Sequence, residues 1–88
     1  MSVVKTTVSL PSNDLRRLND LARDFGTSRS AIVTIALAEY LMRRKAAMAG
    51  EPNPLSESEA LRRAAAVGWL TDAHLSLASR LADGNQED

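Results

Sequence analysis

The sequence predicts a small, mainly α-helical protein in which one short strand precedes the helices. Three observations carry this prediction: residues 5–10 alternate between polar and apolar side chains, two helical patterns follow, and a segment rich in proline and glycine separates these from a further helical stretch. A lone strand would leave its backbone N–H and C=O groups unpaired. We therefore expect the strand to pair with the same strand of a second copy, so that the chain is an obligate homodimer.

The strand itself is predicted from residue 5 to residue 10 and stops at Pro11. Because successive side chains of a strand point to opposite faces, one row faces the core, and its members are Thr6, Val8 and Leu10. The other row carries one cation and two hydroxyls, which can hydrogen-bond the edges of DNA bases: Lys5, Thr7 and Ser9.

The first helix is expected directly after Pro11, with Ser12 or Asn13 as its N-cap and Gly26 as a left-handed C-cap. Apolar residues spaced by three and four form one stripe on it: Leu15, Leu18, Ala22 and Phe25. The second helix is expected to start from Thr27 or Ser28. Its apolar stripe is about two residues wide, which suits packing against both the first helix and a second subunit: Ile32, Val33, Ala36, Leu37, Tyr40 and Leu41.

Composition and charge narrow the function classes. A chain of 88 residues forms at most one small domain, and we expect no membrane span, no signal peptide and, without cysteine, a cytoplasmic protein. With one histidine and no phosphate-binding loop or metal-ligand spacing, we expect neither an enzyme nor a cofactor. Through residue 48, eight cations stand against four carboxylates; from residue 49, three stand against seven. This asymmetry suggests two different partners, and the alternative is that both halves carry ordinary solvated surfaces.

Residues 4–45 resemble the ribbon-helix-helix family of DNA-binding proteins, of the MetJ, Arc and CopG type, and most closely its CopG-like branch. The resemblance rests on three sets of residues: the strand Lys5-Thr6-Thr7-Val8-Ser9-Leu10; Leu15, Leu18, Ala22 and Phe25-Gly26; and Ser28-Arg29-Ser30-Ala31 with Ala36-Leu37-Ala38-Glu39-Tyr40. It implies two antiparallel strands, one from each subunit, in the major groove of an operator. It also implies a second helix whose N-terminus binds a phosphate.

Carried over by position, the resemblance gives each residue a role. The base-reading residues are Lys5, Thr7 and Ser9, and the phosphate-binding residues are Ser28, Arg29 and Ser30. Many relatives carry arginine in the base-reading row, whereas Lys5 is its only cation here. The dimer core is expected to contain Val8, Leu10, Leu15, Leu18, Phe25, Val33, Leu37 and Tyr40.

The rest of the chain divides into a linker over 49–55 and an acidic helical tail over 56–88, after a ribbon-helix-helix domain over 1–48. Ser56 and Glu59 form a capping box for a helix that ends at Gly68, and Thr71 is the expected cap of a helix from Asp72 to Asp83, ended by Gly84. The tail is too poor in apolar residues to fold alone, so it packs on the dimer or binds something else.

Two hypotheses follow for the tail. In the favoured one, the protein is an antitoxin that represses its own operon and blocks a toxin protein through its tail. The expected anchors are Leu61, Trp69, Leu70, Leu75 and Leu81. In the alternative, it is a stand-alone regulator of transcription, plasmid copy number or partition, whose tail stabilises the dimer or joins dimers along DNA.

Overall fold

The computed structural model describes the backbone of residues 9–85 and the side chains of residues 9–83. It contains four helices: α1 (Ser12–Asp24), α2 (Arg29–Met48), α3 (Glu57–Ala66) and α4 (Asp72–Asn85). The prediction of a mainly α-helical chain is thus confirmed over this range. The predicted strand falls largely outside the described residues, and of its members only Ser9 and Leu10 are described, both exposed and outside any helix or strand.

Helix α1 begins at Pro11, which acts as the N-cap with φ −56° and ψ 149°. The prediction of Ser12 or Asn13 as the cap is wrong, because both lie inside the helix and no side chain bonds its free N–H groups. The Pro11 carbonyl accepts the first hydrogen bond of the helix, from the Leu15 N–H at 3.0 Å, so the N-cap lies at Pro11 and not at Ser12. At the other end Gly26, with φ +62°, lets the Thr27 N–H reach the Ala22 carbonyl at 2.9 Å, which confirms the predicted C-cap.

Helix α2 is the longest element, with 20 residues and a length of about 30 Å. Ser28 is its N-cap, as predicted, and its hydroxyl accepts a hydrogen bond from the Ala31 N–H at 3.1 Å. One face of the helix is buried and consists of Ile32, Ile35, Ala38, Met42 and Ala46. A second apolar face is exposed and consists of Val33, Leu37, Tyr40, Leu41 and Met48. We refer to these as the buried face and the exposed face of α2.

The C-terminal helices start from side-chain caps, as the sequence predicts. The Ser56 hydroxyl accepts from the Glu59 N–H at 3.2 Å, while the Glu59 carboxylate, expected to bond back to Ser56, accepts from Arg63 instead. The Thr71 hydroxyl accepts from the His74 N–H at 3.1 Å, and the Thr71 N–H donates to His74 Nδ1 at 3.2 Å. His74 therefore closes a reciprocal capping box.

The ends of these helices agree with the sequence at one of two positions. Gly68, with φ +88°, follows α3 as predicted. The prediction that Gly84 ends α4 is wrong, because the helix runs through it to Asn85. Glycine inside a helix costs only about 1 kcal/mol, which does not suffice to break the last turn.

Helices α3 and α4 fold back onto the buried face of α2. Ala60 and Ala64 of α3 are completely buried, and their small side chains let the helix backbone approach α2 closely. Leu61, Leu70 and Leu77 surround them, and Phe25, Leu75 and Leu81 pack at the margin of this core. The C-terminal segment therefore shares one hydrophobic core with α2. Its few apolar residues are buried by packing on the rest of the chain.

Candidate nucleic-acid interface

The predicted phosphate-binding residues lie together at the start of α2. Ser28, Arg29 and Ser30 are all exposed. The first N–H groups of a helix have no partner within it, and they carry the positive end of the helix dipole. Because the Ser28 hydroxyl accepts from Ala31, it is fixed beside these groups and still has its own proton to donate. This end of α2 can bind an anion such as a phosphate.

The arginines of α1 and Arg29 at the start of α2 differ in whether a carboxylate pairs with them. Arg17 lies 3.8 Å from Asp14, and Arg23 lies 3.2 Å from Asp20. Among the described residues, no carboxylate lies within ion-pair distance of Arg29. Arg29 therefore adds an uncompensated charge to the positive end of the helix.

The predicted base-reading row can be placed only in part. Lys5 and Thr7 lie outside the described residues, and Ser9 is exposed just before α1. Ser9 lies two residues before Pro11, the N-cap of α1. Its role as a base contact stays a prediction.

Most of the predicted dimer-core residues that are described lie at the surface of a single chain. Leu37 is 53% exposed and Tyr40 is 59% exposed, and Leu10, Leu15 and Val33 are exposed as well. Leu18 and Phe25 are half-buried, and Phe25 packs against the core of its own chain. Val8 lies outside the described residues. Large apolar side chains aligned on one helix form a patch that water disfavours, and such patches mark binding surfaces.

The predicted anchors of the tail are mostly covered within the chain. Leu61 and Leu70 are buried in the core, and Leu75 and Leu81 are half-buried at its margin. Trp69 is 41% exposed, and the ammonium of Lys45 lies 5.9 Å from the centre of its ring. Of the five, Trp69 is thus the one that presents a large surface to a partner.

Two contacts at the C-terminal segment were not predicted from the sequence. Arg63 of α3 donates to the Glu51 carboxylate at 2.6 Å, which lowers the pKa of Glu51 below its ordinary value of 4.5. Arg80 of α4 donates to the Phe25 carbonyl at 3.0 Å. Both join residues that are far apart in the sequence, so neither leaves a local signal.

Other site types find no support in the described part of the chain. No three side chains of His, Asp or Glu come together there as metal ligands. Within the same residues, no helix combines the length and hydropathy needed to cross a membrane.

One comparison with known proteins identifies a family. Residues 4–44 match the model of the family described as ribbon-helix-helix protein, copG family. Neither the curated proteins nor the solved structures with which the chain was compared include a match. The matched segment contains α1, the turn at Gly26 and most of α2, including its exposed start. Over residues 4–44, a little under half of its length, the chain is therefore similar to the copG family of ribbon-helix-helix proteins, a family of dimeric DNA-binding regulators.

Proposed function

We propose that this protein is a dimeric, sequence-specific transcriptional repressor that acts in the cytoplasm. The observation that carries the proposal is the start of α2, where Ser28, Arg29 and Ser30 are exposed and Arg29 has no carboxylate partner among the described residues. Phosphate bound there would fix the orientation of the protein on DNA without reading the sequence. Reading would fall to Lys5, Thr7 and Ser9, from a ribbon made of one strand of each subunit.

The exposed face of α2 supports the dimeric part of the proposal. Val33, Leu37 and Tyr40 follow one another at helical spacing, and the chain's own helices leave them uncovered. A second copy, packed on the same face by two-fold symmetry, would bury both apolar surfaces at once. It would also bring two starts of α2 onto one duplex.

The C-terminal segment supports the stand-alone regulator better than the antitoxin. Leu61 and Leu70, the proposed anchors for a toxin, already fill the core that α3 and α4 share with α2. A toxin could reach them only by unfolding this core. In a stand-alone regulator, the C-terminal segment stabilises the subunit, and its surface can join neighbouring dimers on DNA.

A specific observation still favours the antitoxin as second candidate. Trp69 and Val67 are exposed beside each other, at the junction of α3 and α4, in the half of the chain with excess negative charge. A partly exposed tryptophan is a typical anchor of a protein interface. A basic toxin could bind this junction without opening the core.

The DNA-binding proposal is tested with two variants that should differ in their effect on sequence-specific and non-specific binding. The probes are a duplex from the region upstream of the protein's own coding sequence and a random duplex of equal length. Thr7→Ala is expected to weaken binding to the first by roughly 1–3 kcal/mol and to leave the second nearly unchanged, as for a base contact. Arg29→Ala is expected to weaken both equally and to reduce the salt dependence, as for a phosphate contact.

The control for these titrations is Arg62→Ala, which removes an exposed cation of α3 outside the family segment. It is expected to leave both affinities unchanged. If Thr7→Ala weakened binding to the two duplexes equally, Thr7 would not be a base-reading residue. A wild-type protein that binds neither duplex would overturn the proposal.

The two roles of the C-terminal segment are separated by co-purification. The tagged full-length protein is isolated from its native cell through a salt wash, in parallel with its Trp69→Ala variant. A small basic protein that is retained by the wild type and lost with Trp69→Ala would establish the antitoxin. Recovery of the wild type alone, still bound to its own promoter as a dimer, would establish the stand-alone regulator.

A further inference from the structure

A contact between Arg80 and Phe25 joins the last helix of the chain to the end of the first. The Arg80 Nη2 donates to the Phe25 carbonyl oxygen at 3.0 Å, and the guanidinium carbon lies 5.8 Å from the centre of the Phe25 ring. Phe25 is thus held both by its backbone and by its side chain. The two residues are 55 positions apart, and Arg80 lies well outside the segment that matches the family.

The position of Phe25 gives this contact its importance. Phe25 is the C-cap of α1, and Ser28, three residues later, is the N-cap of α2. Three residues span at most about 10 Å, and Gly26 and Thr27 between them bond back to the last turn of α1. Any displacement of Phe25 is therefore passed on to the start of α2.

Helix α1 has few other anchors in the subunit. Ala22 is its one buried residue, while Leu15 is exposed and Leu18 is half-buried. A cation at the C-terminal end of a helix also donates hydrogen bonds to the free carbonyl groups and interacts favourably with the negative end of the helix dipole. Among the described residues Arg80 has no carboxylate within ion-pair distance, whereas Arg43 has one and Arg23 and Arg63 have two each. The Phe25 carbonyl and ring are therefore the partners that hold Arg80.

We propose that Arg80 is a positioning residue for DNA binding: through Phe25 it fixes the turn between α1 and α2, and with it the phosphate-binding start of α2. The affinity for DNA then depends on whether α4 is docked. This inference rests on the proposed function of the start of α2. By linkage, a partner that draws α4 away from Phe25 lowers the affinity for DNA, and bound DNA stabilises the docked α4.

The test uses the full-length protein and its Arg80→Ala and Arg80→Lys variants, with Arg62→Ala as the control for a lost exposed cation. Binding to a random 30-base-pair duplex and to the upstream duplex is measured at several salt concentrations. Amide hydrogen exchange is followed at Thr27, whose N–H bonds to the Ala22 carbonyl. Thermal unfolding confirms that each variant is folded.

For Arg80→Ala we expect roughly five- to tenfold weaker binding to both duplexes, since each subunit loses one charge-assisted hydrogen bond. We also expect faster exchange at Thr27 and an unchanged salt dependence, because no phosphate contact is removed. Arg80→Lys keeps a cation that can donate to the carbonyl, so it should recover part of both effects. Arg62→Ala should match the wild type.

Three results would overturn the inference. A salt slope reduced by about two per dimer would make Arg80 a direct phosphate contact. Unchanged affinity together with faster exchange at Thr27 would show that the turn is held by Arg80 but does not govern DNA binding. Failure of the wild-type protein to bind either duplex would overturn the proposed function itself. This result is distinguished from the other two because it is seen with the wild-type protein alone.

Discussion

The two apolar faces of α2 differ in how a single chain treats them. The buried face is covered by α3 and α4, with Ile35, Ala38 and Met42 inside the shared core. The exposed face carries side chains at least as large, among them Leu37 and Tyr40, and is left to solvent. A helix that is apolar on most of its circumference needs partners on most sides. Among the described residues, α2 therefore has packing partners on its buried face, whereas its exposed face is open to a second chain.

The residues of the two faces also suit different partners. On the buried side, Ala38 of α2 belongs to the same core as Ala60 and Ala64 of α3, so the backbones can approach closely. The exposed face offers Val33, Leu37 and Tyr40, whose larger side chains bury more apolar area per residue. An association between separate chains must overcome the entropy lost on binding, and this area supplies the driving force.

A charge placed on the exposed face of α2 should have the strongest consequence. Leu37→Asp is expected to weaken dimerisation by about two orders of magnitude or more, because each subunit would bury an unpaired carboxylate. Binding to DNA should be lost with the dimer. Sedimentation equilibrium over a range of protein concentrations measures the association constant.

The matched control for this variant is Met48→Asp, which places the same charge at the far end of the same face. Met48 is 78% exposed and lies beyond the matched family segment, so we expect dimerisation close to that of the wild type. Should Leu37→Asp dimerise as tightly as the wild type, the subunits would meet through another surface.

A smaller effect is expected from a cavity on the buried side. Leu61→Ala should lower the free energy of unfolding by roughly 2–5 kcal/mol, because Leu61 is buried in the core that α3 and α4 share with α2 and the space it leaves cannot be filled completely. Urea unfolding, followed by circular dichroism at one fixed protein concentration, measures the change. The exposed face stays intact in this variant, so the folded fraction should still dimerise.

Val67→Ala serves as its control, since Val67 is exposed just after α3 and its truncation should change stability by less than about 0.5 kcal/mol. If Leu61→Ala cost no more than Val67→Ala, α3 would not be packed on α2 in solution.

The sequence predicted most of the helix caps. Ser28, Ser56 and Thr71 cap the helices they were expected to cap, and Gly26 takes the expected left-handed conformation. Such signals lie within a few residues of their effect, so one sequence suffices to detect them. The failure at Pro11 is of the same local kind, since a serine and an asparagine after a proline also resemble a cap.

The sequence could not predict which partner covers which face. The predicted apolar stripe of α2 lies, apart from Ile32, on exposed positions of the helix. The buried face was missed, since its other members were not in that stripe: Ile35, Ala38, Met42 and Ala46. The contacts of Arg80 with Phe25 and of Arg63 with Glu51 depend on tertiary packing. For the candidate site, the start of α2 was predicted and lies exposed in the structure, whereas Lys5 and Thr7 of the base-reading row fall outside the described residues.

The weakest effect that we expect is a decrease in stability at acidic pH. It arises from the ion pair between Glu51 and Arg63. The hydrogen bond from Arg63 lowers the pKa of Glu51 below 4.5, so the folded chain holds this proton less firmly than the unfolded chain does. The contribution of Glu51 to stability is therefore complete above pH 4.5 and is lost as the pH falls through the lowered pKa. Because the pair lies at the surface, the contribution is small.

Glu51→Gln should remove this part of the acid dependence while leaving the stability at pH 7 only slightly reduced. Arg63→Gln should have the same effect on the acid dependence that Glu51 causes, and it also removes the ion pair with Glu59. The double variant should therefore lose little more than Arg63→Gln alone. Urea midpoints measured between pH 3 and pH 7 give the comparison. If the acid dependence of Glu51→Gln equalled that of the wild type, the link between the end of α2 and α3 would not form in solution. The buried face would then be held by its apolar contacts alone.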